Sequence, residues 1–147
     1  MNLLVAGGDA EQRRQVAHAF HQESPLRCGP FLSVDCERDE QRVSLGLRAW
    51  LSADGPDPGA NPLGGAQHGT LFLDSVGSLS APTQRLLLAL VNHLGGTAHQ
   101  ENPLTLRIAA GDREDLAAAV GAGIFSSALY DGLDKIRIDV AVAQGAA

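Results

Sequence analysis

Hydrophobic and polar positions follow two alternating patterns along the chain. Short, mostly apolar runs predict strands, and stretches with apolar residues at helical spacing predict helices. Strands are expected at residues 2–6, 30–34, 70–73, 104–110 and 135–142, and helices at 10–23, 40–51, 81–94, 115–120 and 126–130. Because strands alternate with helices, the pattern predicts an α/β fold in which helices cover both faces of a mostly parallel, five-stranded sheet.

A segment rich in glycine and proline interrupts this alternation at residues 53–69. It has no hydrophobic period, so we expect it to be a loop. A loop of this length inside a compact domain is either functional or the relic of a lost element. The length of 147 residues suits one domain over residues 1–147 with a single core.

Composition narrows the classes of partner. The hydrophobic fraction is 44%, which is enough for a core, and the formal net charge is −6. An acidic chain repels phosphate, so we expect neither nucleic acid nor an anionic membrane as a direct partner. The first apolar run has no basic region before it, and no apolar stretch is long enough to cross a membrane, so we expect a cytoplasmic protein.

The cysteines and histidines form no evident site. Cys28 and Cys36 lack the spacing of a zinc ribbon or a redox pair, and we expect two free, partly buried thiols. His18 and His21 lie three positions apart on the first predicted helix, a spacing that a metal site can use. No cysteine or carboxylate joins them with obvious geometry, so we expect no metal.

Six segments, in order along the chain, carry a family resemblance. Residues 68–80, HGTLFLDSVGSLS, are similar to the pattern GGTLFLDEIGEL, and residues 3–21 align without gaps on a strand, P-loop and helix. The other four are 24–36, 82–93, 106–116 and 123–140. Together they resemble the AAA+ ATPase domain of bacterial enhancer-binding proteins, the activators of sigma-54 RNA polymerase. The resemblance implies a three-layer P-loop-NTPase-like fold, here without the helical lid that follows the fifth strand in the family.

The phosphate-binding loop departs most from the family pattern. Family members read G-E-S-G-T-G-K-E, whereas residues 7–14 read GGDAEQRR. Only Gly7 is kept, and Ala10 and Gln12 disfavour the positive φ angles that let backbone N–H groups curl round a phosphate. Arg13 falls at the lysine position, where we expect a solvated side chain in the first turn of a helix. The alternative is that Arg13 and Arg14 together still pair with phosphates.

The catalytic positions of the family are changed as well. Asp74 stands where an aspartate holds Mg²⁺ in the family, but here we expect it to cap the following turn. Ser75 replaces the glutamate that activates water, and a hydroxyl is no general base at neutral pH. Asp112 takes the sensor asparagine position, and the two arginine-finger positions carry Ser126 and Gly132. Loss of both fingers removes a rate contribution on the order of 10³–10⁵.

These losses imply a pseudo-ATPase that uses no cofactor and acts through protein–protein contacts, as a regulator or adaptor related to sigma-54 activators. Its partner would be a full-length activator or, in a homo-oligomer, a second copy of the chain. The expected contact surfaces are the helix at 82–94 and the loop at 53–69, which stands in place of the family's polymerase-contacting GAFTGA loop.

Three alternatives stay open. The first is a domain that senses a nucleotide or a nucleotide second messenger through its vestigial pocket. The second is a weak surviving ATPase, for which we find no water-activating group. The third is a piece of a larger protein whose function lay in the missing parts. The vestigial nucleotide-binding positions are Gly7, Arg13, Arg14, Asp74 and Asp112.

Overall fold

The computed structural model describes residues 2–51, 62–66, 68–95, 106–114 and 116–140. Its strands and helices follow one another in the predicted order. The strands are β1 (Leu3–Ala6), β2 (Phe31–Asp35), β3 (Thr70–Asp74), β4 (Arg107–Asp112) and β5 (Ile136–Asp139). The helices are α1 (Ala10–Gln22), α2 (Glu40–Leu51), α3 (Ala81–Gly95), α4 (Leu116–Gly121) and α5 (Ser127–Leu133).

The strands form one parallel sheet of five in the order β2-β3-β4-β1-β5, which confirms the predicted α/β class. β3 is buried at every residue, as a continuous apolar run covered on both faces should be. β4 lies between β3 and β1, with Ala110 opposite Leu73 and Asp112 opposite Ala6. The carboxyl ends of these three strands therefore meet in the middle of the sheet, which is the usual place for ligands in α/β folds.

Helices cover both faces of the sheet. Leu3, Val5 and Phe72 pack with Ala17 of α1 in one apolar cluster. Leu4 points to the opposite face from its neighbours in β1 and joins a larger cluster there. The residues of the other four helices in that cluster include Val43, Leu47, Leu87, Leu90, Leu116, Leu129 and Leu133. None of the helices in the described ranges is both long and apolar enough to cross a bilayer.

Some predicted element boundaries were wrong. α2 coincides with the helix predicted at 40–51, but α5 continues to Leu133 instead of ending at 130. β4 begins at Arg107 rather than at 104 and runs on to Asp112, and β5 ends at Asp139 rather than at 142. Residues 104–105 and 141–142 lie outside the described ranges.

The end of the predicted loop at 53–69 belongs to the core; residues 53–61 and 67 lie outside the described ranges. Gly64–Ala66 forms one turn of 3-10 helix, and Leu63 and Ala66 are fully buried. Leu63 packs so closely on Gly46 of α2 that a Cβ there would lie 2.3 Å from Leu63 Cγ. The expectation of a simple loop therefore needs correction at this end, because Leu63 is an anchor in the apolar cluster.

The cysteines differ from the expectation in burial. Both are free thiols, as expected, but Cys28 is exposed and Cys36 is fully buried. Burial raises the pKa of the Cys36 thiol, and the neighbouring carboxylate of Asp35 raises it further. Cys36 is therefore an unreactive core residue.

His21 has a structural role at the end of α1. Its Nε2 donates to the Gly29 carbonyl at 3.0 Å, and its Nδ1 shares a hydrogen bond with Thr70 Oγ1 at 2.7 Å. Both ring nitrogens are thus occupied, and His21 ties the end of α1 to β3. Across the described part of the chain, no group of three His, Cys, Asp or Glu residues is placed to hold a metal ion.

Candidate functional site

The first part of the site is the turn between β1 and α1, at the edge of the sheet where the strands have their carboxyl ends. Gly7 and Gly8 have φ angles of 88° and 66°, in the left-handed region that favours glycine. The Gly7 N–H donates to the backbone oxygen of Asp112 at 3.0 Å, which fixes the turn against β4. The chain then enters α1 with Asp9 as the N-cap.

The beginning of α1 is capped by its own side chains. Asp9 Oδ1 accepts the N–H of Gln12 at 2.8 Å, and Gln12 Oε1 accepts the N–H of Asp9 at 2.9 Å. This reciprocal pair is a capping box. It uses backbone N–H groups that, at a phosphate-binding helix start, would face an anion.

Arg13 is buried, with 4% of its surface exposed, so the expectation of a solvated side chain is wrong. Its Nε donates to Asp74 Oδ1 at 2.7 Å, and its Nη2 donates to Oδ2 of the same carboxylate at 3.2 Å. Its Nη1 donates to the carbonyls of Gly7 at 3.1 Å and Gly8 at 2.7 Å. We call the group of acceptors around the Arg13 guanidinium, from Gly7, Gly8 and Asp74, the cradle.

The buried position of Arg13 follows from helix geometry. Arg13, Ala17 and His21 are spaced by four residues and form the buried stripe of α1 that faces the sheet. β3 then delivers Asp74 beneath this stripe, so the guanidinium has a planar, bidentate partner. Asp74 does not cap the next turn through its side chain, as we had expected, because Arg13 takes both of its oxygens.

Asp112 closes the site from β4. Its Oδ2 accepts the N–H of Gly77 at 2.8 Å, and its Oδ1 accepts the N–H of Glu114 at 3.2 Å. A Cβ at Gly77 would lie 2.7 Å from Asp112 Oδ2, so a side chain there would have to displace this carboxylate. The sensor position thus holds the β3–α3 turn in place.

Ser75 adopts a left-handed backbone conformation directly after Asp74, with φ 56° and ψ 41°. This conformation costs a non-glycine residue roughly 1–2 kcal/mol. Its side chain makes no capping hydrogen bond to the short helical turn that follows. Nothing in the sequence signals this strain, which the packed turn between β3 and α3 imposes.

Arg14 lies outside the cradle. Its guanidinium pairs with Glu11 one turn earlier, with Nη2 and Oε1 2.5 Å apart, and its side chain is 44% exposed. The hydrogen bond from Arg14 lowers the pKa of the Glu11 carboxyl. The structure therefore brings together Gly7, Arg13, Asp74 and Asp112, but it does not join Arg14 to them.

The two positions that align with arginine fingers serve the fold. Ser126 is the N-cap of α5, with its Oγ accepting the N–H of Leu129 at 3.2 Å. Gly132 lies in α5, where a Cβ would approach Val91 Cγ1 to 3.1 Å. Neither residue brings a cation toward the cradle.

Gln84 is a buried residue that our sequence reasoning missed. Its Nε2 donates to the carbonyls of Leu79 at 2.9 Å and Ile124 at 3.1 Å, and its Oε1 accepts the N–H of Ser126 at 2.8 Å. It thus joins the turn before α3 to the start of α5. The signal was a glutamine within an apolar helix, because a buried amide requires such partners.

A polar cavity of about 240 Å³ lies beside the cradle. Its lining includes Arg13, Ser75, Asp112 and Ile124. Its further charged residues are Glu37, Arg113 and Glu114. The lining has carboxylates of three residues against two arginines, a mixture that does not favour a highly anionic ligand.

The part of the chain around α4 forms an uncharged surface. Residues 116–129 contain no charged side chain, although the whole chain is 19% charged. Ile124 is 67% exposed. We call the exposed residues between positions 117 and 124 the α4 patch; they are Ala117, Ala118, Gly121, Ala122, Gly123 and Ile124.

The strand order and the position of the loop after β1 are those of P-loop NTPase folds. Solved structures agree with this assignment. NtrX from Brucella abortus in complex with ADP gives a TM-score of 0.73 at 22% identity, over 95% of this chain and 31% of that chain. The P-loop NTPase domain of a sigma-54 transport activator from E. coli gives 0.57 at 19% identity, over 94% and 82%. At these identities the likeness establishes the fold.

The chain belongs to the sigma-54 interaction domain family, whose pattern matches residues 1–139. The C4-dicarboxylate transport transcriptional regulatory protein DctD of Pseudomonas aeruginosa is 33% identical, over 88% of this chain and 29% of its own length. The transcriptional regulatory protein GlrR of Escherichia coli is 29% identical, over 95% and 33%. The Nif-specific regulatory protein of Herbaspirillum seropedicae is 28% identical, over 92% and 26%. The chain thus spans about a quarter to a third of the length of these relatives, and the resemblance to sigma-54 activators is confirmed.

Proposed function

We propose that this chain is a non-catalytic pseudo-ATPase domain that regulates through protein–protein contacts, as a regulator or adaptor related to sigma-54 activators. The observation that carries the proposal is the guanidinium of Arg13, which occupies the cradle and donates four hydrogen bonds there. The chain keeps the family fold, but its own Arg13 side chain fills the centre of the ligand site.

The residues of the cradle do not fit a magnesium nucleotide. Both oxygens of Asp74, the position that would hold Mg²⁺, accept hydrogen bonds from Arg13. Separating a buried ion pair costs about 3–5 kcal/mol, so a nucleotide would bind roughly a hundredfold to several thousandfold more weakly than to an open site. The capping box also uses N–H groups at the start of α1 that phosphate would need.

The positions for hydrolysis support the same proposal. Ser75 supplies no general base, and Ser126 and Gly132 supply no cation for the charge that develops in phosphoryl transfer. Ser126 Oγ instead caps α5. These three positions therefore supply none of the groups for the chemical step, and the described part of the chain leaves the binding site filled.

The proposed protein-binding region is on the surface, away from the charged interior of the site. The α4 patch is uncharged and carries the exposed Ile124, as interface centres commonly do. We propose that it contacts a full-length sigma-54 activator, with self-association as the alternative. The exposed residues of α3, among them Arg85, Ala89 and Asn92, are a secondary surface. The predicted contact loop 53–69 lies largely outside the described ranges. We further propose a cytoplasmic location and no direct nucleic-acid or membrane partner.

Calorimetry on the purified chain with ATP and Mg²⁺ tests the pseudo-ATPase part. We expect no heat of binding, because Arg13 stays bound to Asp74. A dissociation constant in the micromolar range would contradict the proposal. A family member with an intact lysine P-loop, titrated under the same conditions, is the positive control.

Analytical ultracentrifugation of the labelled chain with a purified full-length sigma-54 activator tests the partner. We expect co-sedimentation with the activator, and unchanged sedimentation when serum albumin replaces it. If the chain sediments as a monomer with the activator present, the protein-contact part of the proposal is wrong.

The cavity beside the cradle favours one second candidate, a sensor of a nucleotide second messenger. Its volume of about 240 Å³ and the presence of Arg113 in its wall leave room for a small anionic group outside the cradle. Calorimetry with a panel of cyclic nucleotides and nucleoside phosphates distinguishes the two candidates. Heat from one panel member supports the sensor, and no heat from any member removes it.

A further inference from the structure

The cradle presents only hydrogen-bond acceptors to its centre. These are the carbonyl oxygens of Gly7 and Gly8 and the carboxylate of Asp74. We infer that the cradle is a guanidinium-binding site, filled within the same chain by Arg13. A P-loop binds anions, whereas the cradle prefers an organic cation.

The chemistry of the occupant matches the site closely. A guanidinium has five N–H donors in a planar fork and no acceptor. Arg13 sends Nε and Nη2 to the two oxygens of one carboxylate, and it sends Nη1 to two carbonyls. A lysine ammonium is a point donor and cannot span a carboxylate and two carbonyls in this way. A phosphate placed in the same position would face oxygens from all sides.

The surrounding chain fixes the direction of these acceptors. Gly7 and Gly8 hold positive φ angles, and the Gly7 N–H is bound on the other side to the Asp112 backbone oxygen. The N–H groups of Asp9 and Gln12 bind each other's side chains instead of turning inward. The side chains of Arg13 and Asp74 are 5% and 9% exposed, so little water competes for the site.

Removal of Arg13 would leave this site open, with one uncompensated carboxylate and two unpaired carbonyls. The ligand class that restores all of these contacts is guanidinium or an alkylguanidinium, including an arginine side chain. The inference shares one point with the proposed function, namely that Arg13 stays in the cradle of the natural chain. Calorimetry of the natural chain tests that function, whereas the following experiment tests the cradle.

The test is chemical rescue of Arg13→Ala. Its melting temperature is measured with guanidinium chloride at millimolar concentrations, far below the molar range in which guanidinium unfolds proteins, against sodium chloride at equal ionic strength. We expect the melting temperature of Arg13→Ala to rise with guanidinium and to saturate, as for ligand binding. The natural chain and Arg14→Ala, which keep the cradle filled, should not rise. No selective rise in Arg13→Ala, or a larger rise with phosphate or Mg²⁺, would overturn the inference.

A second variant covers the case in which Arg13→Ala does not fold in buffer. The folded fraction is then followed by circular dichroism, and guanidinium is expected to restore it. The double variant R13A/D74A lacks the buried charge of either partner and should fold without responding to guanidinium. Failure of guanidinium to restore the single variant, or an equal response of the double variant, contradicts a site built on Asp74.

Discussion

The cradle and the α4 patch are two regions of opposite character at the same edge of the sheet. In the cradle a buried cation and a buried carboxylate satisfy each other, and Arg13 is only 4% exposed. In the α4 patch Ile124 is 67% exposed, and no charged side chain occurs between residues 116 and 129. In the cradle, Arg13 already binds the acceptors that a ligand would need, whereas the α4 patch leaves apolar surface exposed to solvent. This contrast is the basis of our proposal that the chain binds through its surface and not through its pocket.

Breaking the cradle should have the largest effect on stability. Asp74→Ala leaves the Arg13 guanidinium buried without its carboxylate, and we expect the free energy of unfolding to fall by about 3–5 kcal/mol. Urea denaturation followed by circular dichroism measures this loss.

Arg14→Ala is the matched control for that variant. The pair of Arg14 with Glu11 lies on the exposed side of α1, so we expect no measurable change in the urea midpoint. If Asp74→Ala were no less stable than Arg14→Ala, the buried ion pair would have no structural role and the contrast between the two regions would fail.

The fold was predictable from the sequence because its signals are local. The apolar run at β3 and the amphipathic spacing of α2 each lie within a few consecutive residues. The site depends on distant partners, since Arg13 and Asp74 are 61 positions apart. The four-residue spacing of Arg13 from Ala17 could have indicated that Arg13 faces the sheet, but nothing local marks Asp74 as its partner.

The α4 patch was missed for a different reason. A run of alanine, valine and isoleucine is typical of a core helix, and only the packed structure reveals which of these residues remain exposed. Gln84 was missed because its three hydrogen-bond partners come from two other turns of the chain.

Gln84 joins Ile124 of the α4 patch to the turn before α3, and its replacement should have the next largest effect. Gln84→Leu keeps a similar volume but leaves the carbonyls of Leu79 and Ile124 and the N–H of Ser126 without their partner. We expect a loss of about 1–3 kcal/mol in unfolding free energy, together with faster amide exchange at Ser126. Arg85→Leu, at the exposed neighbouring position, should change neither quantity. Unchanged exchange at Ser126 in Gln84→Leu would show that this amide does not hold the start of α5.

Ile124→Asp sharpens the comparison from the side of the patch. Because Ile124 is exposed, we expect the unfolding free energy to change by no more than about 0.5 kcal/mol. Affinity for the proposed partner, a full-length sigma-54 activator, should fall about tenfold or more, measured by fluorescence anisotropy. Leu45→Asp changes an apolar residue of α2 that is 50% exposed and should keep full affinity. Equal affinities of the two variants would place the contact elsewhere.

The smallest effect is expected at Ser75. Glycine tolerates the left-handed conformation that Ser75 adopts, so Ser75→Gly should stabilise the fold by about 0.5–1 kcal/mol. Ser78→Gly, in the same turn but without a positive φ, is the control and should not stabilise. A destabilised Ser75→Gly variant would mean that the serine side chain contributes more than its backbone strain costs.

The most direct measurement is the NMR signal of the Arg13 Nε–H in the natural chain, followed during titration with ATP and Mg²⁺. The account predicts a slowly exchanging signal, because this proton is buried against Asp74, and no change in its shift as nucleotide is added. The exposed Arg14 Nε–H serves as the fast-exchanging reference in the same spectrum. An Arg13 signal that exchanges as fast as that of Arg14, or that moves with nucleotide concentration, would contradict a cradle permanently filled by its own arginine.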